Sequence, residues 1–372
     1  MRYVCDAPGG APWFRFETEA EAEAGEPHIA PAFRAWVADL RTYLEGVRTY
    51  LLAEERAIGG EDKLSRDQLL DQYLEELAPR LVARIFEANR ELGSLVAHLP
   101  DDQHARYRAF CRSQLGELFK QAPFMRRAFE KPLGYAGDYE MMNMLYRPHG
   151  EGDTLFARAL NMYATQEAAA KANINRIGYL GDKIRAAVAT STRERVRIAS
   201  IGCGPAREIA ALLEASPALG VRLDVALIDQ EERSIAYCER TLAPLVLRTG
   251  ARVQFIRESV RRLLTARRLS HALGEREFIY SAGLFDYLNE RSFVALLRAL
   301  FDALVPGCLI AVGNVAIDNP SRWAMEYFSE WFLIHRSADE LRRFGDMLTP
   351  KPSHVSIDSE PLGVNLFLLV RR

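Results

Sequence analysis

Ile201-Gly202-Cys203-Gly204-Pro205-Ala206-Arg207 stands where two hydrophobic periodicities meet. Before it, Arg197-Ile198-Ala199-Ser200-Ile201 reads as a buried strand; after it, Ala206 to Leu213 has helical spacing. Gly202 permits a tight turn, and Gly204 has no side chain to keep a ligand off the backbone. Pro205 suits the first turn of a helix, where no hydrogen-bond donor is lost. Exposed amides at such a helix start favour an anionic or acceptor-rich group.

Outward from this turn the pattern repeats. Strand-like runs at 223–228, 253–256, 277–280 and 308–312 are separated by helical runs at 231–242, 260–269 and 292–304. A long helical region is expected after residue 312, followed by two closing strand-like runs, 354–357 and 364–370, around Pro361 and Gly363. Units of this kind build an α/β fold, a parallel sheet with helices on both faces.

The other half of the chain is helical. After a small hairpin (Tyr3–Ala7, a Pro8-Gly9-Gly10 turn, Trp13–Phe16) and an acidic run from Glu17 to Glu26, Pro31 opens an amphipathic helix. Phe33, Trp36, Val37, Leu40, Leu44, Val47 and Leu51 form its apolar stripe, and Gly59-Gly60 stops it. A second pattern runs from Leu69 to Val96, where Pro79 is expected to kink or split the helix; a third spans about 101–119. We therefore expect a helical cap over 1–150 and a sheet domain over 151–372, joined by one long helix at 153–190. The segment Gly134-Tyr135-Ala136-Gly137-Asp138-Tyr139-Glu140 is turn-rich and lies between helices.

In an open α/β sheet the ligand sits at the carboxyl ends of the strands. The second strand ends in Ile228-Asp229, and an acidic residue there can accept hydrogen bonds from both hydroxyls of a ribose. Nicotinamide enzymes and S-adenosylmethionine (SAM) enzymes share that arrangement. The third glycine of a dinucleotide fingerprint would fall at Arg207, a poor fit for close helix–strand packing. SAM carries no pyrophosphate, so it tolerates the departure.

On these residues, with Tyr280-Ser281-Ala282-Gly283-Leu284-Phe285-Asp286-Tyr287 after the fourth strand, residues 195–372 resemble a class I SAM-dependent methyltransferase. The helical first half with its Gly134–Glu140 loop resembles bacterial extracellular-factor biosynthesis proteins, the 3-hydroxypalmitic acid methyl ester synthases of quorum signalling. The resemblance implies a Rossmann-like sheet, mostly parallel with an antiparallel terminal strand, and SAM as cofactor. It implies that Gly202, Cys203 and Gly204 line the methionine and ribose. Asp229 would hold the ribose with Gln230 beside it, Glu258 and Ser259 would lie at the adenine edge, and Ser281, Ala282 and Gly283 would face the methyl donor. Tyr135 is a further cofactor candidate, as an aromatic face near the sulfonium. The implied activity is O-methylation of the carboxylate of a fatty-acid-like or other small molecule. The alternatives are an N- or O-methyltransferase of a natural-product intermediate and a nucleotide-binding regulatory module without turnover.

A carboxylate acceptor is ionised at neutral pH and needs an orienting group rather than a base. Arg322, Tyr327 and Tyr287 are the candidates for that role. A phenol or amine acceptor must lose a proton, which draws in His335, Asp286 or Asp138. Met325, Tyr327, Phe328, Trp331, Phe332 and His335 fall at helical spacing and read either as an acceptor pocket or as ordinary core. Tyr135, Asp138 and Tyr139 read as a lid hinged at Gly134 and Gly137, or as core tyrosines beside a helix cap. Asn173 and Arg176 precede the first strand; Arg176 reads as a partner of the methionine carboxylate or substrate, or as half of a surface ion pair.

The 372 residues include 48 Lys+Arg and 50 Asp+Glu, a net charge of −2, which argues against a globally basic nucleic-acid binder. Arg257, Arg261, Arg262, Arg267 and Arg268 cluster around the third helix of the sheet domain, as a solvated face or as a dock for an acidic acyl carrier protein. Cys5, Cys111, Cys203, Cys238 and Cys308 are odd in number with no C-x-x-C, which reads as reduced thiols in a cytoplasmic protein. The scattered histidines form no H-E-x-x-H metal motif, and neither a secretory leader nor a membrane-spanning stretch is visible.

Overall fold

The computed structural model describes residues 3–4, 15–16, 29–58, 63–147, 149–259, 262 and 273–372. The expected turn at 8–10, the acidic run, the Gly59-Gly60 stop and the helix at 260–269 lie outside the described residues, Arg262 excepted.

A two-residue strand pair comes first, β1 (Tyr3–Val4) antiparallel to β2 (Arg15–Phe16). Among the described residues seven α-helices follow: α1 (Pro31–Ala57), α2 (Lys63–Val96), α3 (Asp101–Phe119), α4 (Pro123–Glu130), α5 (Tyr139–Leu145), α6 (Leu155–Gln166) and α7 (Ala168–Thr190). The expected α1 stripe is buried at Phe33, Trp36, Val37, Leu40, Leu44 and Leu51.

Two expectations for the helical half are corrected. Pro79 does not split α2, which runs unbroken past it. Leu70, Leu74 and Ala78 before the proline and Leu81, Val82 and Ile85 after it are buried in one core. Burial at ~1.5–3 kcal/mol per large apolar side chain outweighs the ~3 kcal/mol that an interior proline costs. The single long helix expected over 153–190 is two helices, because Glu167 leaves the helical region at ψ 149°. Its buried carboxylate accepts hydrogen bonds from Asn89 Nδ2 and, at 2.8 Å, from Ser321 Oγ.

The second half forms a seven-stranded sheet of order β5-β4-β3-β6-β7-β9-β8. Its strands are β3 (Val196–Ile201), β4 (Leu223–Asp229), β5 (Arg252–Arg257), β6 (Arg276–Ser281), β7 (Leu304–Val315), β8 (His354–Ser359) and β9 (Asn365–Arg371). Strands β3 to β7 pair in parallel, while β9 runs antiparallel to both β7 and β8. Among the described residues five α-helices accompany it: α8 (Arg207–Ala215), α9 (Glu232–Thr249), α10 (Glu290–Ala303), α11 (Arg322–Phe328) and α12 (Ala338–Asp346). Period-two alternation sorts the strand side chains between two cores. Ile198, Val225 and Phe278 pack with α7, α8 and α9, whereas Ala199, Ala226 and Ile279 pack with α10 and α12.

Two further expectations change here. Helix α8 begins at Arg207 after a left-handed Ala206, so Pro205 stands before the helix rather than in its first turn. The long helix expected after residue 312 is replaced by the end of β7, the seven-residue α11 and a non-helical stretch 329–337 that begins near a left-handed Glu330. Backbone bonds hold that stretch extended against the end of β7: Arg336 N donates to Val315 O at 3.0 Å and Ile317 N to Arg336 O at 3.0 Å. Ala324, Met325, Tyr327, Phe328 and Trp331 are buried in the core of the helical half, so this excursion from the sheet locks the two halves together. No helix among the described residues is long and apolar enough to cross a membrane.

Candidate functional site

The β3–β4 register sets Ile201 beside Ile228, which brings the Gly202–Gly204 turn against Asp229. Gly202 and Gly204 both take left-handed backbone, at φ 65° and 52°. The turn's amides are used within the protein. Gly202 N and Cys203 N donate to Ile228 O at 2.9 and 3.0 Å, and Gly204 N donates to Asp229 Oδ2 at 2.9 Å. Glu231 N donates to Asp229 Oδ1, also at 2.9 Å. Burial pushes the Asp229 carboxyl upward while these two amides hold it down. A carboxylate offers about four lone-pair sites, more than these two amides fill. The turn's own amides are therefore committed, and the Asp229 carboxylate beside them is left for a ligand.

A cavity of about 480 Å³ covers this turn. Gly202, Cys203, Gly204, Asp229, Gln230 and Glu258 line one end, and Ala282, Gly283, Asp286 and Tyr287 line the other. Tyr135 and Gly137 close it from the helical half. Two expected residues do not line it. Ser281 is fully buried with its Oγ donating to Ile201 O at 2.8 Å, and Ser259 stacks its backbone on Glu258, Ser259 N donating to Glu258 Oε1 at 2.9 Å. The Cys203 thiol is held well above its ordinary pKa by its hydrogen bond with Cys238 and by burial, so it lines the site as an uncharged group.

The loop over the cavity is pinned at several points. Lys131 ends α4 in left-handed backbone, and Gly134 and Gly137 follow at φ 88° and 78°. A Cβ at Gly137 would lie 2.5 Å from Tyr287 Oη, so glycine is required there. Tyr287 Oη donates to Ala136 O at 2.8 Å and accepts from Trp331 Nε1 at 3.0 Å. Asp138 caps α5 by accepting from Met141 N at 2.9 Å and pairs with Arg127 at 2.8 Å. Asp138 is thus a helix cap, and Tyr135 lines the cavity. Burial and the nearby Asp229 raise the Tyr135 hydroxyl pKa, which keeps it neutral.

Of the acceptor-side candidates Arg322, Tyr327, Tyr287 and His335, three lie away from the cavity. Arg322 donates to Glu326 Oε1 at 3.0 Å and lies over the Trp323 ring. Tyr327 is in the helical core, 1% exposed, with its hydroxyl 2.8 Å from His104 Nδ1. His335 lies 3.2 Å from Asn319 Nδ2, and burial with the Arg322 charge pushes its pKa down to about 4. The short α11 and extended 329–337 take these side chains out of the register that one long helix would have given them. Tyr287 alone of the four lines the cavity.

Other residues take their place. Arg176 on α7 lines the cavity, donates to Ala282 O at 3.3 Å, and makes no ion pair within 4.0 Å among the described residues. Glu208, in the first turn of α8, is buried, lines the cavity and accepts from Tyr280 Oη at 2.6 Å. Asn173, Met325 and Trp331 line the end nearest the helical half. Helical spacing alone could not have marked Glu208, since its exposure to the cavity depends on the late start of α8. Of the basic cluster, Arg257 pairs with Glu232 at 2.7 Å and Arg262 lies 3.7 Å from Glu258; Arg261, Arg267 and Arg268 lie outside the described residues.

No protein-family model matches the chain, and no curated protein matches it in sequence. Solved structures do match in shape. A possible exported protein from Bordetella parapertussis superposes with a TM-score of 0.50 at 14% identity, covering 79% of this chain and 96% of its own. The DszA carbon methyltransferase matches with a TM-score of 0.43 at 16% identity, over 96% of this chain and 97% of its own. Magnesium protoporphyrin IX methyltransferase (ChlM) from Synechocystis PCC 6803, with bound SAM, matches with a TM-score of 0.40 at 12% identity, over 55% and 84% of the two chains. The likeness is one of fold. The strand order and the reversed β9 give the expected architecture: a Rossmann-like sheet, mostly parallel with an antiparallel terminal strand, preceded by a helical region.

Proposed function

We propose that this chain is a SAM-dependent methyltransferase acting on a small molecule. The observation that carries the reading is the pairing of the open Gly202–Gly204 turn with the Asp229 carboxylate at the next strand end, under one cavity. A volume of about 480 Å³ falls in the range, about 300–1,000 Å³, of cavities that hold a small-molecule ligand. Glu208 favours SAM over a dinucleotide. Its buried carboxyl stands at the helix start, where a pyrophosphate would lie.

In this reading Asp229 takes the ribose hydroxyls, with Gln230 and Glu258 at the adenine edge. Arg176 takes the methionine carboxylate beside Ala282 and Gly283, and Tyr135 offers its ring to the sulfonium. SAM supplies a methyl group already activated as an electrophile. The protein's part is alignment and exclusion of water, which the Tyr287–Ala136 and Arg127–Asp138 contacts serve by fixing the covering loop. The acyl carboxylate acceptor implied by the resemblance is the weaker version. Arg176 and Arg207 are the arginines lining the cavity, Arg207 turns toward Glu214 at 3.6 Å, and the cofactor's own carboxylate would occupy Arg176.

Calorimetry on the full chain tests the reading. SAM and S-adenosylhomocysteine should bind and NAD should not. Binding of NAD without a SAM signal would overturn it. Mass spectrometry of mixtures with SAM and a panel of carboxylic acids, phenols and amines then identifies the acceptor.

A further inference from the structure

Asp286 is a charged group of the cavity that cofactor binding leaves without a task. It sits in the single turn Phe285–Tyr287 after β6 and is 5% exposed. The protein holds it firmly: Val315 N donates to Oδ1 at 2.7 Å, and Ile334 N donates to its backbone oxygen at 2.8 Å. Its other carboxylate oxygen, Oδ2, has no hydrogen-bond partner among the described residues. That oxygen lies 3.5 Å from the point a Cβ on Gly283 would occupy, and Arg176 Nη1 lies 3.0 Å from the same point. Arg176 and Asp286 thus flank Gly283 without meeting within 4.0 Å, and both line the cavity. Around Asp286 the lining is Tyr287, Val315, Met325, Trp331 and Leu333, the end of the cavity farther along the sheet from Asp229. The whole lining carries four carboxyl side chains, Glu208, Asp229, Glu258 and Asp286, against two arginines. An anionic acceptor meets unfavourable charge there, whereas a cation meets a carboxylate and the Trp331 and Tyr287 rings.

We propose that the methyl acceptor is an amine and that Asp286 Oδ2 accepts its proton. The proposal rests on the methyltransferase reading above. The amine enters as its ammonium form. One N–H bond breaks and an O–H bond forms on Asp286. The freed lone pair forms the N–C bond to the methyl group as the C–S bond breaks, its electron pair staying on sulfur. The products are a methylated ammonium, S-adenosylhomocysteine and a protonated Asp286, which returns its proton to water after product release.

Burial sets the Asp286 pKa at about 7, against the opposing amide of Val315 and the charges of Arg176 on α7 and Arg336 ahead of α12; Tyr287 is the neighbouring hydroxyl. Asp286 is therefore ionised above about pH 7 and protonated below it.

Two probes with the same alkyl tail, n-hexylamine and n-hexanoate, test the proposal on the full chain saturated with S-adenosylhomocysteine. Calorimetry at about pH 8 should show the amine binding about tenfold or more tightly than the carboxylate, the fold-change of a charge-assisted hydrogen bond. Asp286→Asn keeps an oxygen for Val315 N but carries no charge. It should bring the two probes within about threefold while leaving S-adenosylhomocysteine affinity within about threefold. A measurement independent of that variant's folding is the wild-type affinity for hexylamine at about pH 5.5, where the amine is still an ammonium but Asp286 is protonated; it should fall by about tenfold. Equal or tighter binding of hexanoate, binding of neither probe, or a preference unchanged by both the variant and the pH would overturn the proposal. So would a loss of S-adenosylhomocysteine affinity in Asp286→Asn beyond about tenfold, since Asp286 then serves the cofactor's ammonium. Failure of the wild type to bind S-adenosylhomocysteine would defeat the methyltransferase reading instead.

Discussion

Gly202 and Gly204 share a left-handed backbone, yet a methyl group added at each meets different surroundings, and this separates a folding role from a binding role. Alanine in that conformation costs ~1–2 kcal/mol at either position. At Gly202 the new Cβ would sit 3.0 Å from Leu284 Cβ, so the β6 turn must move as well. Overpacking of that kind adds ~1–3 kcal/mol, which puts Gly202→Ala at roughly 2–5 kcal/mol of lost stability. At Gly204 nothing lies within 4 Å, so Gly204→Ala should lose no more than the backbone strain, ~1–2 kcal/mol. The affinities should not follow the stabilities. The Gly204 methyl stands in the cavity, two residues from the turn's start and bonded through its own amide to Asp229. A cofactor lying against that backbone is pushed off the Asp229 carboxylate and loses a charged hydrogen bond, ~1.5–3 kcal/mol or about 10- to 150-fold in Kd. Urea unfolding gives the stability of each variant, and calorimetric titration with S-adenosylhomocysteine gives its affinity under conditions where both are folded. Should Gly204→Ala lose its expected stability and still bind within about threefold of the parent, no ligand leans on that turn, and the argument from the open backbone fails.

Asp229→Ala should raise the Kd for S-adenosylhomocysteine by about 10- to 150-fold and also lower stability, because Gly204 N and Glu231 N lose their acceptor; calorimetry and urea unfolding read the two effects separately. Arg322→Ala and His335→Ala should leave that affinity within about twofold, since neither residue lines the cavity; a tenfold loss in either would return α11 and its sequel to the site. Tyr287→Phe should speed amide exchange over residues 131–141 in the free protein, as the hydroxyl that holds Ala136 O and Trp331 Nε1 is removed, and added S-adenosylhomocysteine should slow exchange in the same segment of the parent; exchange indifferent to both would make the loop a plain connector.

The turn end of the cavity was legible because it depends on short-range rules. A strand, a glycine turn and an acidic strand end lie within Ile201–Asp229, and the parallel register that aligns Ile201 with Ile228 follows from the β-α alternation itself. The two misplaced serines show where such rules stop. Ser281 is at the right strand end, but period-two alternation points its side chain back into the sheet, where Ile201 O takes its hydrogen. Glu208 carries no local signal at all, and the sequence left Arg176 open between a ligand partner and half of a surface ion pair. Each is one charged residue on a helix, and its meeting with the cavity is fixed by the strand order and by the left-handed Ala206 that delays α8.

The acceptor side was misread because local spacing and tertiary bonding disagree over 316–337. Met325, Tyr327, Phe328, Trp331, Phe332 and His335 recur at three- and four-residue steps, which is the pattern of one helical face. The chain instead leaves the helix after Phe328, because Arg336 finds better partners at the sheet. Its guanidinium, 1% exposed, donates to Phe285 O at 3.1 Å and to Asn314 Oδ1 at 2.6 Å, and its amide donates to Val315 O. Leaving a buried arginine without those acceptors costs several kcal/mol, whereas the propensity of a few helical turns is worth tenths of a kcal/mol per residue. The same bonds bring Ile334 N onto Asp286 and Trp331 onto Tyr287. The turn away from the helix therefore also sets the surroundings of Asp286 and Tyr287, and a reading confined to periodicity had to lose both together.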